Sequence, residues 1–163
     1  YETMMRDMIQ QDFRPIIETI YHAHRIFVYG TGMVQRTVAK EMKRLFYHGR
    51  KNFFDFNGGD EFRALLKELN NRDLLIMISV SGERESLLEF VQKAKIKNVP
   101  VISITERLKN PLAQLSDYNL YISTTAVEQN LSSVQYKSMT SYFILVEMLM
   151  LRYLEYLEEK EEL

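Results

Sequence analysis

Leu74 to Ser79 reads LLIMIS, apolar at consecutive positions until the serine. A strand with one wet face alternates apolar and polar residues, so a run without alternation belongs inside a parallel sheet covered on both faces. Parallel neighbours in turn need long crossover connections, usually helical. The flanking sequence supplies them.

RIFVYGTG (25–32) is a β-branched and aromatic run closed by glycines, and Val34, Val38, Met42, Leu45 and Phe46 follow at helical spacing. KNFFDF (51–56) precedes a helical pattern over about 59–69, and LLIMIS precedes one over about 83–97. VPVISIT (99–105), a shorter helical piece and YNLYIS (118–123) complete the alternation. Strands alternating with helices predict an α/β chain, a three-layer αβα sandwich around a five-stranded parallel sheet. Ahead of it, Met5, Met8, Ile9, Phe13, Ile16, Ile17 and Ile20 predict one amphipathic helix over 3–23, kinked at Pro15. After it, apolar spacing predicts one long helix from about Leu131 to Leu157 with an acidic end. No repeat, low-complexity tract or linker divides the chain, which reads as a single domain.

Composition excludes several function classes. Lys and Arg number 21 against 22 Asp and Glu, without the broad basic excess of a nucleic-acid-binding face. The absence of cysteine removes disulfides and thiolate metal sites and suits a reducing compartment, so a cytoplasmic location is expected. No run approaches the ~20 apolar residues of a membrane helix. Asp55 and Asp60 lack partners at ligand spacing, and neither a metal nor a cofactor is expected. The nine methionines and the Phe/Tyr stripe read as core and subunit-interface packing.

In open parallel sheets ligands bind beyond the carboxyl ends of the strands, near the reversal of strand order. There fall GTG (30–32), SVSGERES (79–86) and TERLKNP (105–111). In the second stretch, Ser79, Ser81, Gly82, Glu83, Arg84 and Ser86 surround a strand-to-helix turn. A helix start presents unpaired N–H groups and the positive end of the peptide dipoles, Gly82 lets a ligand approach the backbone, and the serines add hydroxyl donors. These residues are predicted to bind phosphate, although serines at such a position also serve as simple helix caps. GTGMVQ (30–35) departs from the dinucleotide fingerprint: Gln35 stands where its third glycine would be, and Asp55 is the one acidic residue near the end of the second strand. A tight strand-to-helix turn requires glycine on steric grounds alone. Thr31 adds a hydroxyl suited to a sugar rather than a pyrophosphate.

Together, FVYGTG, DLLIMISVSGERES, VPVISIT and NPLAQLSDYNLYI resemble the sugar isomerase (SIS) domain, a flavodoxin-like fold, from about Arg25 to Leu157. Within that superfamily the chain is most similar to the effector-binding half of RpiR/MurR-type bacterial transcriptional regulators. The resemblance implies that Ser79 and Ser81 hold a ligand phosphate, with Gly82 and Glu83 supplying backbone. It further implies a sugar facing Gly30, Thr31, Gly32, Thr105 and Glu128. Arg84 stands where the family frequently has Thr, so one phosphate hydroxyl is missing and an arginine replaces it. Residues 1–24 would be a lead-in helix and residues 25–163 the SIS domain, with DNA contact confined to a helix-turn-helix domain ahead of Tyr1. A homodimer that senses a phosphorylated sugar or amino sugar without catalysis is expected. The alternative is a small aldose–ketose phosphate isomerase with Glu128 as base, for which His22, His24 and His48 are the scarce candidate partners. A third reading is a dimerisation domain with an empty pocket.

Overall fold

The computed structural model describes residues 1–106, 109–124, 126–127 and 136–162. Five strands form one parallel sheet: β1 (Arg25–Gly30), β2 (Phe53–Asp55), β3 (Asp73–Ile78), β4 (Val101–Thr105) and β5 (Tyr118–Tyr121), in the spatial order β2-β1-β3-β4-β5. This is the flavodoxin-like order, with its reversal between β1 and β3. Every residue of β3 is buried. Leu74, Ile76 and Ile78 join one core, while Leu75 and Met77 join the other across the sheet. Each fully buried aliphatic side chain contributes about 1.5–3 kcal/mol, which makes β3 the strand least able to tolerate a polar face.

On one face lie α1 (Glu2–Ile9), α2 (Arg14–His22), α3 (Met33–Phe46) and α7 (Thr140–Glu159). The other carries α4 (Asp60–Glu68), α5 (Glu85–Ile96) and α6 (Pro111–Leu115). The expected three-layer αβα sandwich is therefore present.

Two expectations need correction. The single helix over 3–23 is two helices, because Gln10 to Phe13 leave the helical path and Pro15 sits in the first turn of α2. There its missing N–H breaks no helical bond, so proline starts a helix here instead of kinking one. The break is used: the Gln11 amide donates to the Tyr121 carbonyl and accepts from the Tyr121 N–H, both at 2.7 Å, and so satisfies the free edge of β5. The long terminal helix starts at Thr140, nine residues later than the apolar spacing suggests, behind a two-residue ladder of β6 (Ala126–Val127) with β7 (Tyr136–Lys137). Val134 lies outside the described residues.

Both lead-in helices are built into the core. Met8, Phe13, Ile16, Ile17 and Ile20 pack with α3 and α7. At the far end Arg14 reaches Glu159 at 3.0 Å, and the half-buried Lys51 ammonium donates to the Tyr21 and Ala23 carbonyls, closing the end of α2.

Candidate anion-binding site

Strand order reverses between β1 and β3, so the turns after these strands diverge to opposite faces and leave a crevice between them. The Thr31 N–H donates to the Ile78 carbonyl at 3.0 Å and pins the first turn to the end of β3. Gly30 is required sterically, because a Cβ there would stand 2.2 Å from the Gln35 carbonyl carbon. Gln35 itself is buried with its amide oxygen against Gly32, filling the space that a dinucleotide site keeps clear for pyrophosphate. Thr31 and Gly32 remain half-buried at the rim.

In the second turn the Ser79 hydroxyl accepts from the Gly82 N–H at 3.1 Å, and the Ser81 hydroxyl accepts from the Glu83 N–H at 3.4 Å. A serine whose oxygen accepts from the backbone keeps its own proton for a further acceptor. For Ser81, half-buried, that proton is available to a ligand. Ser79 is only 2% exposed, so its hydroxyl braces the turn from beneath. Glu83 and Arg84 stay outside α5, whose first residue is Glu85. Arg84 is exposed and faces no carboxylate among the described residues. Ser86, in the first turn of α5, lines the groove with α4 beside Gly59 and Arg63. The arrangement presents a hydroxyl, a guanidinium and a helix start on one rim, a chemistry suited to an anion.

Thr105, expected at the sugar, is fully buried, and its hydroxyl accepts from Asn110 at 2.9 Å. It presents no surface to a ligand in this structure. Glu128 lies outside the described residues. The three histidines do not approach the crevice. His22 and His24 precede β1, and His48 follows α3, which places all three at the amino edge of the sheet.

Four residues at the carboxyl edge escaped sequence reasoning. Glu106, just past β4, accepts from the Thr124 hydroxyl and pairs with Lys137, joining the β6–β7 ladder to the sheet. With Asp7, Gln11 and the residues after β5 it borders a cleft of about 570 Å³, within the usual size of small-molecule sites. Asn110 caps α6, a role signalled by the Asn-Pro pair. Ser141 and Tyr142, in the first turn of α7, have buried hydroxyls without a hydrogen-bond partner among the described residues. Burial pushes the Tyr142 hydroxyl up to about 12, with nearby Gln35 opposing that rise although no hydrogen bond of normal geometry joins them. No motif announces such orphans, which arise from tertiary packing. Among the described residues no group of acidic or histidine side chains is placed to hold a metal, and no helix is long and apolar enough to cross a membrane.

A parallel sheet in this order, with a hydroxyl-bearing turn at its switch point, defines an open α/β domain of the kind that binds ligands beyond its strand ends. The SIS domain family matches residues 19–152, and the chain belongs to that family. It is 29% identical over 160 residues to the HTH-type transcriptional regulator GlvR of Bacillus subtilis, covering 98% of this chain and 63% of that protein. The chain thus spans less than two thirds of this relative. The fold is shared with the sugar isomerase domain of an RpiR transcription factor from Sphaerobacter thermophilus, at TM-score 0.79 and 21% identity over 99% of this chain and 93% of that one. It is also shared with Vibrio vulnificus NanR complexed with ManNAc-6P, at TM-score 0.81 and 21% identity over 98% of this chain and 61% of that one. Enzymes occur among the relatives too: a phosphoheptose isomerase of Cytophaga hutchinsonii is 30% identical over 87 residues, 53% of this chain and 46% of its own.

Proposed function

We propose that this chain is the effector domain of an RpiR-type transcriptional regulator, binding a phosphorylated sugar or amino sugar without turning it over. The observation that carries this reading is the Ser79–Ser86 turn at the switch point of the sheet, with half-buried Ser81 and with Arg84 exposed and facing no carboxylate among the described residues. The phosphate sits at that turn and the sugar extends toward Thr31, with Glu128 retained as a sugar-binding residue on the family resemblance alone. Similarity to GlvR and the fold shared with NanR support the assignment. Residues 1–24 link the domain, residues 25–163, to a helix-turn-helix segment through which alone DNA is contacted. The regulator works as a cytoplasmic homodimer.

A ligand shifts such a regulator only if it binds one arrangement better than another. Gln11 and Arg14 are the points at which a change in the sheet or α7 reaches the lead-in helices. The isomerase reading gains support from the phosphoheptose isomerase, but it needs an acid–base partner at the site, and this chain's histidines lie at the edge of the sheet opposite the Ser79–Ser86 turn. Calorimetry across hexose, pentose, heptose and amino-sugar phosphates tests the proposal, alongside a coupled isomerase assay on the same panel. Binding of one member without turnover is the expected result. Turnover abolished by Glu128→Gln would replace the sensor with the enzyme.

A further inference from the structure

The geometry of the phosphate turn is imposed from outside it. Gly82 adopts φ +65°, the left-handed region that favours glycine, and a Cβ there would lie 2.1 Å from Asn110 Oδ1 and 2.6 Å from its Cγ. The Gly82 carbonyl accepts from the Leu112 N–H at 3.0 Å. The start of α6 therefore grips the turn through both a side chain and the backbone.

Asn110 is only 3% exposed and uses both ends of its amide. Its Oδ1 accepts from the Ala113 N–H at 2.8 Å, capping α6, while its Nδ2 donates to Thr105 Oγ1 at 2.9 Å. A cap needs an acceptor alone, and serine or aspartate serves as well as asparagine. The donor to Thr105, at the last position of β4, does something a cap does not require. It fixes the plane of the amide that Gly82 packs against.

We infer that Asn110 is a positioning residue for the anion-binding turn, and that Thr105 orients it. The inference rests on reading Ser79–Ser86 as the phosphate site. Thr105 brakes rotation of the Asn110 amide, the amide holds Gly82 left-handed, and Gly82 delivers its N–H to Ser79 while leaving Ser81 and the start of α5 turned toward the ligand. The buried Thr105 thus acts on the ligand through another residue. Specificity for phosphate is set in part from Thr105 and Asn110, both buried on the β4–α6 side.

Two variants separate this role from helix capping. Asn110→Ser keeps a good cap but is too short to span both Thr105 and Gly82, and Thr105→Val removes the acceptor while leaving the cap intact. The probe is inorganic phosphate, titrated by calorimetry, with Ser81→Ala as the control for the site. Amide hydrogen exchange at Gly82, Glu83 and Arg84 is followed without ligand. Both variants are expected to weaken phosphate binding about tenfold and to speed exchange at the turn, with the amides of β1 and β3 protected as in the wild type. Wild-type affinity and wild-type exchange at the turn in either folded variant would overturn the inference. Should phosphate bind the wild type no better than Ser81→Ala, the site reading fails instead, while the exchange rates still decide the role of Asn110. If Asn110→Ser does not fold, Thr105→Val carries the same comparison.

Discussion

At the amino edge of the sheet, the Asp73 side chain has no exposed surface and every acceptor is engaged: Arg25 donates twice at 2.8 Å and the Asn70 N–H once at 2.9 Å. The carboxyl edge differs in kind. Ser81 is half-buried and Arg84 exposed, Gly82 is held left-handed, and the Ser141 and Tyr142 hydroxyls are buried without partners among the described residues. Unsatisfied buried polar groups are rare and each lowers stability, so a sheet that saturates one edge and not the other has divided its labour. On the proposed function, the amino edge holds the fold and the carboxyl edge keeps polar groups in reserve for a ligand.

Removing the saturated end should have the largest effect on stability. Asp73→Ala leaves Arg25 without its partner, and because the Arg25 side chain is 32% exposed the expected loss is discounted to about 2–3 kcal/mol, read from urea unfolding, with phosphosugar affinity unchanged. The same pair sets a pH dependence. Burial pushes the Asp73 carboxyl up, but the Arg25 guanidinium and the Asn70 N–H outweigh it and hold the group below its ordinary value of 3.8. A depressed folded value means that the stabilisation is complete above about pH 4 and is lost as pH falls through the folded value. Acid titration of stability should therefore be steeper in the wild type below about pH 4 than in Asp73→Asn.

At the other edge the order of effects reverses, with binding more sensitive than folding. Gly82→Ala introduces a Cβ at positive φ against Asn110 and should lower stability by about 1–3 kcal/mol while reducing phosphosugar affinity by more than about tenfold. Ser81→Ala removes one donor from the rim, and an approximately fivefold weaker titration with an unchanged unfolding midpoint is expected. The smallest effect has the opposite sign. Tyr142→Phe deletes a hydroxyl without a partner among the described residues and should leave thermal stability unchanged or raise it by up to about 1 kcal/mol. A loss of stability on that substitution would show that the hydroxyl is satisfied and would narrow the contrast between the edges.

The sheet was legible because its signal is local. LLIMIS states burial on both faces, and each strand is followed by helical spacing and a turn residue. Periodicity misled where apolar spacing continues through a break. Phe13 is buried beside the residues of α2 although it lies outside the helix, so one pattern covered two elements, and Pro15 was the overlooked start signal. The same continuation hid the late start of α7. At the site, the Ser-x-Ser-Gly turn could be read as a location, since hydroxyls, glycine and a helix start are adjacent in the chain. What lay beyond reach was depth. Ser79 and Thr105 are buried while Ser81 is not, because strands β3 and β4 end beneath α6 and its cap, and Asn110 meets Gly82 only through that tertiary contact.

The central claim is that the turn from Ser79 to Ser86 receives the phosphate of the ligand. Amide chemical-shift mapping during titration with a phosphosugar that binds tests it most directly, because each edge reports separately. The account predicts the largest shifts at Thr31 and from Ser81 to Glu85, with the amides around Asn70 and Asp73 unmoved. Shifts concentrated at the amino edge, or spread over α4 and α5 with Ser81 silent, would contradict it.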